Sequence, residues 1–152
     1  MQNPRDQRTK AVIFDVDGTI ANNDHRRVWV QNKPKNWKAY NATMYADTPI
    51  ENIIKLANIL HAHYKVIIVT ARSDDHEPVT RTWLKAHDVR YDFIYFRKEK
   101  DHRDDTIVKS EILDTILEHG HEPVMVFDDR TKVVNMWRER GLQCLQVAPG
   151  DF

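Results

Sequence analysis

The sequence contains a single cysteine, Cys144, which excludes an intramolecular disulfide and is typical of a protein kept in a reducing compartment. Leu142 and Leu145 lie close to this cysteine, so we expect a small buried residue rather than a reactive thiol. No apolar run reaches the length of a membrane span, and the first ten residues are polar without an apolar core. We therefore expect a cytoplasmic protein with no membrane segment and no secretory leader.

The formal net charge of the chain is zero, because 23 lysine and arginine residues balance 23 aspartate and glutamate residues. This balance argues against a protein that coats nucleic acid or a membrane surface, so any basic patch must be local. The chain has only 4 glycines, and none lies in the GxxxxGK[ST] context of a nucleotide-binding P-loop. HExxH and CxxC patterns are absent as well, which argues against a zinc site.

Short apolar runs alternate with segments of helical periodicity along most of the chain. The predicted strands are 12–14, 65–70, 91–96, 123–129 and 144–147. The predicted helices are 47–62, 78–87, 106–118 and a segment that ends before Gly141. This alternation with short connections predicts an α/β fold of the Rossmann-like type, a three-layer α/β/α sandwich around a five-stranded parallel sheet. A chain of 152 residues suits a single domain over residues 1–152.

Residues 21–48 interrupt the alternation directly after the first strand, and they predict a small helical cap-like insertion over the site. A short helix at 36–45 would place Trp37, Tyr40 and Met44 on one apolar face. For that face we favour packing against the core over a platform for stacking nucleic-acid bases. Pro49 suits the first turn of the helix that follows the insertion.

Polar residues follow three of the predicted strands, at the edge where open parallel sheets bind ligands. These residues are Asp15 and Asp17, Thr70 and Arg72, and Asp128 and Asp129. Lys109 lies in the first turn of the helix at 106–118, where the helix dipole disfavours a cation. An anion in the crevice would explain the lysine at that position.

This set of residues favours the binding of a phosphoryl group. Carboxylates that lie close together repel unless a cation or a shared proton separates them, and a hard divalent ion with oxygen ligands fits this need. A lysine, a threonine hydroxyl and an arginine suit the spread negative charge of a phosphoryl group. Oxygen ligands with room for water favour Mg²⁺ as the cofactor.

The motifs DVDGT at 15–19, TAR at 70–72, Lys109 and DD at 128–129 resemble, in order and spacing, the four motifs of the haloacid dehalogenase superfamily of phosphohydrolases. Segments 97–112 and 127–152 are further similar to the phosphatase domain of bacteriophage polynucleotide kinase-phosphatases. The resemblance covers most of residues 10–152 and is weakest over 22–48.

The resemblance implies roles for the acids in two-step hydrolysis. Asp15 would be the nucleophile that forms an aspartyl-phosphate, and Asp17 the acid that protonates the leaving oxygen and then activates water. Magnesium would be held by Asp15, the backbone carbonyl of Asp17 and Asp128, with Asp129 as a direct or water-mediated partner.

The resemblance also implies residues that contact the substrate. Thr70 and Lys109 would hold the phosphoryl oxygens. Arg72, Arg97 and Asp105 match positions implicated in substrate binding or in support of the site. For Arg97 and Asp105, a plain surface ion pair is the alternative.

The function expected from these residues is a magnesium-dependent phosphomonoesterase that hydrolyses terminal 3′-phosphates of nucleic acid, or that acts on nucleotides. The alternatives are an acid phosphatase or nucleotidase on small phosphomonoesters and, more distantly, a receiver-like phosphoacceptor domain, in which the phosphorylated aspartate would follow the third strand. Without a P-loop the chain is not a kinase, and it is either a stand-alone phosphatase or a domain of a longer protein. Its oligomeric state is not predicted.

Overall fold

The computed structural model describes residues 7–152, in which strands and helices alternate as the sequence predicts. The strands are β1 (Thr9–Phe14), β2 (Ala21–Asn22), β3 (Thr48–Pro49), β4 (Lys65–Ser73), β5 (Phe93–Arg97), β6 (His121–Asp128) and β7 (Cys144–Gln146). The helices are α1 (Asp24–Gln31), α2 (Trp37–Ala42), α3 (Glu51–Leu60), α4 (Glu77–Ala86), α5 (Asp105–Glu118) and α6 (Thr131–Glu139). Among these described helices, none has the length and apolar character needed to cross a membrane.

Five of the strands form one sheet in the order β5-β4-β1-β6-β7, and every neighbouring pair is parallel. The five-stranded parallel sheet predicted from the sequence is therefore confirmed. Because the strands are parallel, their carboxyl ends all lie at the same edge of the sheet. The central strand β1 lies between β4 and β6, so residues that follow these three strands share one crevice.

Both faces of the sheet are covered, as the apolar strands require. Alternate residues of β1 contribute to two separate clusters of buried side chains. Ala11 and Ile13 belong to the cluster that includes side chains of α5 and α6. Val12 and Phe14 belong to the cluster that includes side chains of α3 and α4. The predicted three-layer α/β/α arrangement is therefore confirmed.

The insertion after β1 is bounded by β2 and β3, which pair in antiparallel fashion. Between them lie α1, α2 and a 3₁₀ turn at Met44–Ala46. The predicted helix at 36–45 is thus divided at Thr43 into α2 and the 3₁₀ turn. Helix α1 was not predicted, because its sequence DHRRVWVQ buries one residue, Arg26, and lacks a regular apolar stripe.

Two expectations for the insertion are wrong. Pro49 does not begin a helix but pairs with Ala21 in extended conformation, and the N–H of Ile50 donates to the carbonyl of Ile20 at 2.8 Å. This pairing delays the start of α3 to Glu51. Trp37 does not pack against the core with Met44: Met44 is 1% exposed, whereas Trp37 is 53% exposed.

Candidate active site

Asp15, directly after β1, is held at both of its carboxylate oxygens. The ammonium group of Lys109 donates to Asp15 Oδ1 at 2.8 Å, and the hydroxyl of Thr19 donates to Asp15 Oδ2 at 3.0 Å. The same ammonium donates to Asp128 Oδ2 at 2.8 Å. The anions that explain a lysine near the start of α5 are therefore carboxylates of the protein itself.

Asp128 and Asp129, at the end of β6, complete a group of three acids with Asp15. One carboxylate oxygen from each of the three lies within 4.8 Å of the others, and all three residues are buried. Asp128 is oriented by the indole N–H of Trp137, which donates to Oδ2 at 3.1 Å, and by the backbone N–H of Asp129, which donates to Oδ1 at 2.9 Å. We call Asp15, Asp128, Asp129 and Lys109 the carboxylate cluster.

The negative charge of the carboxylate cluster exceeds its positive charge. Burial and the neighbouring carboxylate of Asp128 raise the pKa of Asp15 well above its ordinary value, even though Lys109 opposes the shift. Burial and Asp128 likewise raise the pKa of Asp129 to about 6. With all groups ionised, three carboxylates and one ammonium leave two negative charges uncompensated. Oxygen ligands with this excess fit a hard divalent cation such as Mg²⁺.

Asp17 lies only two residues after Asp15 but contacts different partners. Arg72 donates to it through Nε at 3.1 Å and Nη2 at 2.7 Å, and Arg26 donates through Nη2 at 2.6 Å. Both arginines also donate to the buried Asp47, with Arg26 Nε 2.7 Å and Arg72 Nη2 3.0 Å from carboxylate oxygens. We call Asp17, Asp47, Arg26 and Arg72 the arginine cluster.

Unlike the carboxylate cluster, the arginine cluster is balanced, with two carboxylates and two guanidinium groups. Burial alone would raise the pKa of Asp17, but Arg72 and Arg26 lower it to about 2. Asp17 is thus held as a carboxylate next to the crevice, with 24% of its side chain exposed. The two acids of the DVDGT motif therefore differ in the direction of their pKa shifts as well as in their partners.

Arg26 and Asp47 belong to the site but were not identified from the sequence. Arg26 is fully buried, and its guanidinium lies 4.2 Å from the centre of the Tyr40 ring. Both residues lie in the insertion, whose weak periodicity gives no reason to select them. An arginine and an aspartate 21 positions apart form an ion pair that only the tertiary fold brings together.

Thr70 and Arg72, at the end of β4, lie at the same edge of the sheet. The hydroxyl oxygen of Thr70 accepts from the backbone N–H of Arg72 at 3.1 Å. The remaining guanidinium nitrogen of Arg72, Nη1, donates to the hydroxyl of Thr80 at 3.0 Å. Since Nε and both terminal nitrogens of Arg72 have protein partners, its position supports a role in holding Asp17, and contact with substrate remains a prediction.

Arg97 and Asp105 do form an ion pair, with 12% and 25% of their side chains exposed. Arg97 also donates to the carbonyls of Ala71 and Arg103, at 2.9 and 2.6 Å. Asp105 accepts in turn from Arg130 at 2.8 Å. These bonds connect the ends of β4 and β5 with the starts of α5 and α6. The ion pair therefore holds these four element ends together beside the crevice.

Gly18 allows Asp129 to approach the DVDGT turn. Its φ is +82°, and an added Cβ would lie 2.1 Å from Asp129 Oδ2. A side chain at this position would therefore strain the backbone and displace one acid of the carboxylate cluster.

Comparison with known families and proteins finds matches over nearly the whole chain. The family described as the polynucleotide kinase PNKP phosphatase domain matches residues 9–152. A protein of Autographa californica nuclear polyhedrosis virus, provisionally named a bifunctional polynucleotide kinase/RNA ligase, is 25% identical over 139 residues. That match covers 88% of the chain but only 18% of the viral protein.

Solved structures also match the fold. Chains in two structures of the Pnkp1/Rnl/Hen1 complex, one described as an RNA repair complex, are 29% and 30% identical, with TM-scores of 0.83 and 0.80. These matches cover 100% and 95% of the chain, which spans 49% and 44% of those proteins. A haloacid dehalogenase-like hydrolase from Streptococcus pneumoniae, 17% identical with a TM-score of 0.65, has the same fold over 93% of this chain and 85% of its own.

Replacement of Arg26 by methionine removes one of the two cations of the arginine cluster. We expect Arg26→Met to lower the free energy of unfolding by about 3–5 kcal/mol, because it leaves the carboxylates of Asp17 and the buried Asp47 with Arg72 as their one remaining arginine partner.

Arg27→Met is the matched control, since Arg27 is partly exposed, lies 3.6 Å from Asp24 and stacks on the exposed ring of Phe152 at 4.6 Å. Its cost should stay below about 1 kcal/mol. Urea unfolding followed by circular dichroism measures both, and equal costs would contradict the buried role of Arg26.

Gly18 and Gly141 provide a second matched pair, with φ values of +82° and +83°. Alanine at either position meets similar backbone strain, but only at Gly18 would the new Cβ meet Asp129, since the surroundings of Gly141 are open within 4 Å. We expect Gly18→Ala to abolish phosphatase activity, while Gly141→Ala changes stability alone. Activity and thermal unfolding of both variants test this, and an active Gly18→Ala enzyme would refute the close packing.

Proposed function

Since the chain belongs to the family of polynucleotide kinase PNKP phosphatase domains, and is thus a phosphoric monoester hydrolase of the haloacid dehalogenase type, we propose that it removes terminal 3′-phosphates from nucleic acid in a magnesium-dependent reaction. The observation that carries the proposal is the ammonium of Lys109 between Asp15 and Asp128, in a cluster with two uncompensated negative charges. That arrangement suits a site that must bring a nucleophilic carboxylate against an anionic phosphate.

In the first step, Asp15 attacks the phosphorus atom, and the ester bond between phosphorus and the sugar oxygen breaks. The electron pair of that bond leaves with the sugar oxygen, which takes a proton from Asp17. The bonds from Thr19 and Lys109 to Asp15 support this assignment, because they fix both oxygens of the carboxylate before substrate arrives.

Asp17 must gain a proton before it can act as an acid, whereas the arginine cluster holds it as a carboxylate with a pKa of about 2. We infer that an incoming phosphate competes with Asp17 for Arg72, which weakens the stabilisation of the Asp17 carboxylate and raises its pKa. The contacts of Arg72 with Asp17 therefore make it the residue that couples substrate binding to proton transfer.

In the second step, water attacks the phosphorus of the aspartyl-phosphate. Asp17 accepts the proton of that water, inorganic phosphate leaves, and the Asp15 carboxylate is restored. The arginine cluster keeps Asp17 ionised and so able to accept a proton, and the rise in its pKa inferred for the occupied site would make it a stronger base.

Magnesium, when bound, would offset the repulsion between Asp15 and the phosphoryl oxygens. The residues proposed to hold it are Asp15, Asp128 and Asp129 through their side chains and Asp17 through its backbone carbonyl. Lys109 and Thr70 are proposed to hold the phosphoryl oxygens, and Arg97 and Asp105 to support the substrate at the rim.

The nucleic-acid substrate is proposed from the family and from the named relatives, one called a polynucleotide kinase/RNA ligase and two found in Pnkp1/Rnl/Hen1 structures. The chain spans less than half of those proteins, so their other activities and partners are not assigned to it. A cytoplasmic setting is part of the proposal, and the free, buried thiol of Cys144 suits a reducing compartment.

Phosphate release from defined substrates tests the proposal. The panel comprises an oligonucleotide with a 3′-phosphate, its 5′-phosphate isomer, free nucleotides and sugar phosphates, each with magnesium and with EDTA. We expect release from the 3′-phosphate substrate to be the fastest. We also expect it to require magnesium, because the carboxylate cluster has two uncompensated negative charges.

Asp15→Asn is the control variant, and its activity should fall at least about a thousandfold. Equal or faster release from sugar phosphates would favour the small-molecule phosphatase over the polynucleotide enzyme. Retained activity of Asp15→Asn would refute the assignment of the nucleophile.

A further inference from the structure

An exposed tryptophan lies on the insertion, in a part of the molecule that the catalytic residues do not explain. Trp37 is the first residue of α2, and 53% of it is exposed. Its ring contacts Tyr40 edge to face, with 5.5 Å between ring centres. A tryptophan with this much free surface leaves part of its ring open to a ligand.

Consecutive contacts connect Trp37 with the catalytic crevice. Tyr40 lies beneath Trp37 and stacks on the guanidinium of Arg26 at 4.2 Å. Arg26 in turn donates to Asp17 at 2.6 Å. Asn23 fixes the orientation of Tyr40 by donating to its hydroxyl at 2.8 Å. The tryptophan is therefore tied to the acid that acts on the leaving sugar oxygen through only two intervening side chains.

The segment that contains Trp37 is basic, although the chain as a whole is neutral. The loop before α2 and its first turn carry three exposed lysines, Lys33, Lys35 and Lys38, and no acid. The ammonium of Lys35 lies 5.6 Å from the centre of the Trp37 ring. Cations beside an exposed aromatic ring complement a strand of nucleotides, in which phosphates alternate with flat bases.

From these contacts we infer that Trp37 stacks on a base of a nucleotide that precedes the phosphorylated end, while the neighbouring lysines contact its backbone. This inference rests on the proposed function and adds a substrate class, namely single-stranded or frayed ends. A base that stacks on a protein ring has left its own duplex stack, so a firmly paired end would bind less well.

Kinetics with substrates of increasing length test the inference. The substrates are a nucleoside 3′-phosphate and 3′-phosphorylated single strands of two to six nucleotides, and KM is measured for the wild-type protein and for Trp37→Ala. We expect the ratio of KM for the hexanucleotide to KM for the mononucleotide to rise about five- to a hundredfold in Trp37→Ala, the loss typical of one base stack. Trp37→Tyr should restore most of the loss.

Phe93→Ala is the matched control. Phe93 is 40% exposed but lies at the amino end of β5, at the opposite edge of the sheet from the crevice. Its replacement should leave the KM ratio unchanged. An equal effect of both variants would mean that loss of any exposed aromatic residue perturbs the enzyme, and it would overturn the inference.

A second measurement changes the substrate instead of the protein. An abasic site is placed in turn at each of the three positions nearest the 3′-phosphorylated end of the hexanucleotide. At one of these positions it should reproduce the rise in KM seen for Trp37→Ala. The two losses should not add when that substrate meets Trp37→Ala, because both remove the same contact.

Additive losses, or a KM ratio that Trp37→Ala leaves unchanged, would overturn the inference while the proposed function stands. An unchanged KM ratio is also the result expected if this face binds a protein partner. A wild-type protein that releases no phosphate from any oligonucleotide would overturn both.

Discussion

The placement of one ammonium group among three buried carboxylates is the constraint on which the site depends. Lys109 bonds to Asp15 and Asp128 at 2.8 Å each, and Asp129 lies in the same group of acids. Burial strengthens the repulsion among the carboxylates, and it raises the pKa of Asp15 and Asp129. A site with this excess of negative charge favours a divalent cation, which in the proposed mechanism would let an anionic substrate approach the carboxylate of Asp15.

The fold separates two acids that are neighbours in the sequence. Asp15 belongs to the carboxylate cluster, where it contacts Lys109. Asp17 belongs to the balanced arginine cluster, where it contacts Arg26 and Arg72. Gly18 follows these two acids, and its missing side chain leaves room for Asp129 to join the carboxylate cluster. The proposed nucleophile and the proposed proton carrier need different environments, and the separation provides both within three residues of chain.

The sequence was sufficient to predict the parts of the fold and site that follow apolar strands. Strand ends such as Asp15, Thr70 and Asp128 could be placed together because parallel strands share one edge. The insertion could not be predicted in this way. Arg26 is buried by ion pairs rather than by apolar periodicity, and Trp37 continues an apolar pattern but faces solvent. The periodicity of apolar residues describes only their spacing along the chain. It therefore does not identify a charged residue that is buried by distant partners, or an apolar residue that stays exposed.

The most direct test of this account is the chemical identity of the intermediate. The wild-type protein is mixed with an excess of 3′-phosphorylated oligonucleotide, quenched in acid within milliseconds, and digested for mass spectrometry. The account predicts a phosphoryl group on the peptide that contains Asp15, present during turnover and absent once substrate is exhausted. Phosphate release without any phosphorylated peptide, or with the phosphoryl group on another residue, would contradict it.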